Sequence, residues 1–143
     1  MDSLGGLPDD VVTALQEAIP HLYGSEDLEE TLGRVTAVAA KTVAGCDVAS
    51  ITLISGGTLS THGATGDVAA AADAIQYETG EGPCLDAAEG DIYVHTPDLA
   101  DDARWPKFSA RVARELGVGS MFACRLSMLN GPGQTMGALN LYA

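Results

Sequence analysis

The chain reads as an α+β domain built on an antiparallel sheet. Two turn signals, Gly56-Gly57 and Asn130-Gly131-Pro132-Gly133, each separate a pair of strand-like runs, as in hairpins. Helix-period segments flank those hairpins, and the order α-α-β-β-α-α-β-α-β-β does not fit a doubly wound parallel sheet.

The first helix is expected over 8–22. Pro8 suits an initial helical position, and Asp9 and Asp10 suit the positive end of the helix dipole. Val11, Leu15 and Ile19 form its stripe, and Pro20 kinks or ends it. A second helix is expected over 26–44, capped by Ser25, with Leu28, Leu32, Val35 and Ala39 inward and Gly45 as its stop. Residues 47–54 alternate as a strand with Ala49, Ile51 and Leu53 on one side, and 58–62 return as its partner. Ala-rich residues 66–78 predict a third helix with Val68, Ala72 and Ile75 inward. Gly80-Glu81-Gly82-Pro83 breaks it, and a short helix follows from Cys84 to Gly90. A short strand at 92–95, a helix at 105–116 and strands at 119–128 and 135–142 complete the chain. The inward face of 119–128 stays open between Phe122, Cys124, Leu126 and Met121, Ala123, Arg125.

At 143 residues the chain fits one domain, with a helical pair over 8–44 and sheet and roof over 46–143. Apolar residues at 46% and charged residues at 19% are a globular balance, not a disordered one. A net charge of −13 argues against direct contact with nucleic acid or an anionic membrane. No apolar run is long enough to span a bilayer, and the acidic start, Met1-Asp2-Ser3-Leu4, is unlike a secretory signal. Cys46, Cys84 and Cys124 therefore read as reduced thiols, and the expected location is cytoplasmic. No His/Cys cluster has metal-ligand spacing, and no motif indicates a cofactor.

The stretch Gln76-Tyr77-Glu78-Thr79-Gly80-Glu81-Gly82-Pro83-Cys84-Leu85-Asp86-Ala87 carries a resemblance. With it go Pro97-Asp98-Leu99, Arg104-Trp105-Pro106, Phe108, Leu116-Gly117-Val118-Gly119-Ser120 and Gly137-Ala138-Leu139-Asn140-Leu141-Tyr142. Together they resemble a GAF domain over about 25–143, in particular the modules of actinobacterial signalling proteins that are often joined to an RNA-binding ANTAR domain. The resemblance implies a PAS-related antiparallel sheet of five or six strands. N-terminal helices would pack on one face, and the 66–116 segment would roof a small-molecule pocket on the other. It also implies a C-terminal helix and an output module beyond Ala143, which this sequence lacks. The apolar strip left on the terminal helices would make a homodimer surface.

The function so implied is a non-enzymatic sensory domain that binds an unidentified small molecule. The alternatives are a ligand-free dimerisation scaffold, and a thiol-based redox sensor or free methionine sulfoxide reductase-like enzyme. Candidate pocket residues are Tyr77, Cys84, His95, Trp105, Phe122 and Cys124. Cys84 opens a helix, where the dipole favours thiolate, while Glu81 and Asp86 oppose it. Trp105, Phe108, Val112 and Leu116 step as a stripe that also reads simply as core. His95 stands alone on a short strand, more in the manner of an edge residue than a ligand. Leu85 and Arg125 follow Cys84 and Cys124 where bilin-bearing relatives carry His. The Asn-Lys-Phe set of cyclic-nucleotide binders is not found, so both readings drop. Arg104, Lys107, Arg111 and Arg114 step by three, four and three along the 105–116 helix. They are either a solvated face balanced by Asp98, Asp101 and Asp102 or a docking surface for an acidic partner.

Overall fold

The computed structural model describes residues 28–55, 57–89, 93–128 and 135–143. The helix expected over 8–22, Gly56 and the 130–133 turn lie outside the described residues. Within them run α1 (Leu28–Thr42), β1 (Val48–Ser55), β2 (Thr58–His62), α2 (Asp67–Thr79) and α3 (Pro83–Glu89). After these come β3 (Tyr93–Thr96), a 3-10 turn (Leu99–Asp101), α4 (Pro106–Leu116), β4 (Met121–Met128) and β5 (Thr135–Tyr142).

The five strands form one sheet in the order β2-β1-β5-β4-β3, every neighbour antiparallel. β5 is central: Tyr142 pairs with Val48 on β1 and with Met121 on β4, and Asn140 pairs with Ser50 and with Ala123. Strand alternation then divides the side chains between two layers.

One face carries Ala49, Ile51, Leu53, Phe122, Cys124, Leu126, Leu139 and Leu141, which cluster with Leu32, Val35 and Ala39 of α1. This agrees with the inward stripe expected for that helix at Leu32, Val35 and Ala39, while the Leu28 side chain lies outside what is described. Thr36 Oγ1 bonds the carbonyl of Gly63 and fastens α1 to the end of β2. The opposite face carries Val94, Met121, Ala123, Ala138 and Tyr142. They pack against Ala69, Ala72 and Ile75 of α2, Cys84, Leu85 and Ala87 of α3, and Phe108 and Val112 of α4. The open choice on β4 is thereby settled: Met121 and Ala123 face the roof, and Phe122 and Cys124 face α1.

One inward expectation is corrected. Val68 is exposed, and the buried side of α2 is Ala69, Ala72, Asp73, Ile75 and Gln76. The helical period puts 69, 72, 73 and 76 on one stripe, two of them polar. Gly137 lets β5 approach β1 closely, since a Cβ there would stand 2.5 Å from the carbonyl oxygen of Thr52. Gly137→Ala is expected to lower stability by about 1–3 kcal/mol through overpacking. An unchanged urea midpoint would show that the β1–β5 contact can relax.

Candidate functional site

Between the sheet and α2 lies a buried polar cluster centred on Asp73. Strand alternation turns Ser50 and Thr52 of β1, Thr61 of β2, and Asn140 and Tyr142 of β5 to this face, and α2 adds Asp73, Gln76 and Tyr77. Ser50, Thr52, Asp73, Gln76 and Asn140 are fully buried. Asp73 Oδ2 accepts from Ser50 Oγ at 2.7 Å and from Thr61 Oγ1 at 2.9 Å. Its Oδ1 accepts from the Tyr142 hydroxyl and from Asn140 Nδ2 at 3.3 Å. Tyr77 Oη lies 2.8 Å from both Thr52 Oγ1 and Thr61 Oγ1, and Asn140 Nδ2 donates to Thr52 Oγ1 at 2.9 Å.

The electrostatics follow from burial. Desolvation pushes the Asp73 carboxyl up from 3.8 to about 6, although hydrogen bonds from Tyr142, Ser50, Thr61 and Asn140 pull it down. Burial, and then the charge of Asp73, pushes the Tyr77 and Tyr142 hydroxyls upward. The Cys84 thiol is raised by the same two causes in the same order, so desolvation outweighs the helix dipole and thiolate is opposed.

Gln76 joins the cluster to the roof. Its Nε2 donates to Tyr142 Oη at 3.0 Å, and its Oε1 accepts the Cys84 N–H at 2.9 Å. Gly82, at φ 145°, leaves room for it, because a Cβ there would meet Gln76 Oε1 at 2.2 Å. Glu81 Oε1 accepts the N–H groups of Lys107 and Phe108 at 2.5 and 3.0 Å and caps α4 from a distance. Asp86 Oδ2 accepts from Trp105 Nε1 at 2.9 Å. The glycine-rich stretch therefore holds the roof together. Beside the end of β5, a groove of about 180 Å³ is lined by Asp47, Val48, Val68, Leu116, Val118 and Tyr142, among others.

The candidate residues divide accordingly. Tyr77 belongs to the cluster, and Cys84 Sγ touches it, 3.8 Å from Thr52 Oγ1. Trp105 is core, 2% exposed, its indole N–H spent on Asp86. Phe122 and Cys124 face α1, because their strand positions alternate with Met121 and Ala123. His95, paired with Phe122, shares that face, with ring centroids 6.3 Å apart. Three of the six candidates are thus on the far side of the sheet from Asp73. Sequence reasoning missed Ser50, Thr52, Thr61, Asp73, Gln76, Asn140 and Tyr142. The one signal was the pair of small polar residues Ser50 and Thr52 alternating with Ala49, Ile51 and Leu53, which reads equally as a solvent-facing strand side.

The basic row is also divided. Arg104 precedes α4, stacks over Trp105 at 4.3 Å, and bonds Asp102 at 2.7 Å and the His95 carbonyl at 3.1 Å. That pairing pulls the Asp102 carboxyl down to about 2. Arg111 bonds Glu78 at 2.9 Å and Glu115 at 3.0 Å, and Arg114 lies 3.7 Å from Glu115. Lys107 is exposed on the first turn of α4. The acids meeting the row are thus Asp102, Glu78 and Glu115, two of them outside the expected set.

An antiparallel sheet with a helix on one face and a roof over a buried polar cluster on the other defines the class: an α+β roofed-sheet domain. The family model for the GAF domain matches residues 25–143, and the chain belongs to that family. GAF domains are in general sensory or regulatory ligand-binding domains. The crystal structure of the A. Aeolicus nlh2 GAF domain in an inactive state shares this fold, with a TM-score of 0.58 at 15% identity over 94% of this chain and 80% of that one. No curated protein matches the chain in sequence.

A carboxyl raised by folding contributes stability that is fully present below pH 3.8 and is lost as pH rises through about 6. The difference between those values is on the order of 3 kcal/mol. Relative to wild type, Asp73→Asn is expected to gain about that much as pH rises from 4 to 7, read from urea melts at each pH. Parallel curves would place the Asp73 carboxyl near its ordinary value. Tyr142→Phe strands Gln76 Nε2 and removes a bond to Asp73, so it is expected to cost about 1–3 kcal/mol. It should also move the pH midpoint upward, since the lost bond favours the carboxylate. A downward move would reverse the assigned role of that hydroxyl.

Proposed function

We propose that this domain is a non-enzymatic regulatory module that takes up a small molecule between its sheet and roof. The observation that carries this reading is the convergence of eight polar side chains, one a buried carboxyl with a raised pKa, inside an otherwise apolar layer. Buried polar groups that converge with a perturbed titratable residue have the chemistry of a candidate binding site. A guest that takes over bonds now made by Tyr142 or Tyr77 favours one packing of roof on sheet over another, which is a population shift. Tyr142 stands near the end of β5, so such a change reaches the last residues of the sheet directly. Burial of Cys84 supports a binding role over thiol chemistry, because the reactive thiolate is disfavoured there.

A second reading, the ligand-free scaffold, is favoured by a different observation: the cluster largely satisfies itself, with five members fully buried. Native mass spectrometry of the purified chain, followed by thermal-shift screening of a metabolite library, separates the two. The binding reading expects a bound or stabilising molecule whose effect disappears in Asp73→Asn while the circular dichroism is retained. No stabilising molecule, with an unchanged oligomeric state in the same variant, selects the scaffold.

A further inference from the structure

Counting donors assigns the hydrogens of the inner cluster. Ser50 and Thr61 each donate their single hydroxyl hydrogen to Asp73 Oδ2, and Tyr142 donates to Oδ1. With the Thr61 hydrogen spent, the 2.8 Å contact between Thr61 and Tyr77 runs from the tyrosine to the threonine. Tyr77 then has no hydrogen left, so Thr52 donates across the other 2.8 Å contact. Thr52 in turn accepts from Asn140 Nδ2 at 2.9 Å. One chain of donors runs Asn140, Thr52, Tyr77, Thr61, Asp73, and a shorter one runs Gln76, Tyr142, Asp73.

Every hydroxyl hydrogen of the cluster is therefore consumed inside it. With the Thr52 hydrogen on Tyr77, the 3.8 Å contact to Cys84 Sγ is left to the weak S–H of the thiol. Beyond that S–H and the second amide hydrogen of Gln76, a guest meets acceptors: the spare lone pairs of Ser50 and Tyr77, the Asp73 carboxylate and Asn140 Oδ1. That last oxygen is fully buried and has no hydrogen-bond partner. Its orientation is determined, because the amide nitrogen is the end that reaches Asp73, Ser50 and Thr52. The one cation on this face of the described strands is Arg125, separated from Thr52 by Ala138. An anionic guest would set a second negative charge beside a buried carboxylate. A donor guest instead satisfies Asn140 and meets the charge favourably. Thr61 and Tyr77, the partly exposed members, give access from the β2 edge, and the groove beside β5 reaches Tyr142.

We propose that this interior site selects small hydrogen-bond donors, namely amines, amidines or amides, and rejects carboxylates and phosphates of the same shape. The inference rests on the binding reading above. It is tested on the full chain with three planar probes that differ only in the head group: benzamidine, benzamide and benzoate, at millimolar concentration and pH 7.5. Benzamidine and benzamide are expected to raise the melting midpoint by about 3 °C or more and benzoate to leave it unchanged. In wild-type protein the side-chain amide signals of Asn140 and Gln76 should shift with the first two probes only. Asn140→Ser should lose the response, and if that variant does not fold, the wild-type amide signals decide alone. Benzoate binding with the same amide shifts overturns donor selection but leaves a binding site in place. Stabilisation without shifts at Asn140, or silence from all three probes, overturns the inference, and the library screen then judges the binding reading by itself.

Discussion

A carboxylate held out of water is the constraint on which the roof side of this domain depends. Asp73 sits on α2 with its charge under a lid of apolar side chains. Burying such a group alone costs several kcal/mol, so it is tolerated only where donors surround it. Those donors come from β1, β2 and β5, and one carboxyl thereby locks a helix to three strands. The same bonds specify register. Ser50 and Asn140 are cross-strand partners, and a slip of one residue between their strands would turn one of the two toward α1 and take its donor from the charge. Two forces oppose each other at this point. Dehydration favours the protonated acid, while every neighbouring hydroxyl is wired to serve the ionised one.

The link from that charge to the rest of the roof is Gln76. It is bonded at one end to Tyr142 and at the other to the first turn of α3, where Glu81, Gly82 and Asp86 continue the connection to α4 and Trp105. The glycine-rich stretch thus serves packing and capping rather than phosphate binding or thiol activation. Its effect is mechanical continuity, in that Asp73 reaches α3 through two side chains, Tyr142 and then Gln76. In a family of regulatory domains this continuity gives a physical basis for passing a local event outward.

Much of the fold was legible in the residues. The inward stripe of α1, the alternation of β1, the 58–62 strand and the stripe Trp105, Phe108, Val112 follow from helical and strand periods that hold whatever the packing partner. The buried cluster was not legible, for a reason visible at particular positions. Ser50 and Thr52 alternate with apolar neighbours as a solvent-facing strand side does, and Asp73 and Gln76 lie on an alanine-rich helix whose other inward residues are Ala69, Ala72 and Ile75. Polarity alone points such residues outward, and only a covering layer reverses the inference. Phe122 and Cys124 illustrate the converse limit. Their hydrophobicity announced burial, but both faces of this sheet are buried.

The sequence by itself determined the α+β class, the antiparallel hairpins, the family and the apolar half of each layer, because local periodicity and turn chemistry act over a few residues. Only the tertiary structure decided which face of β4 meets the roof and that Asp73 gathers the polar side chains of three strands. Such a site is made of bonded residues up to 90 positions apart, brought together by packing that no short window of sequence contains.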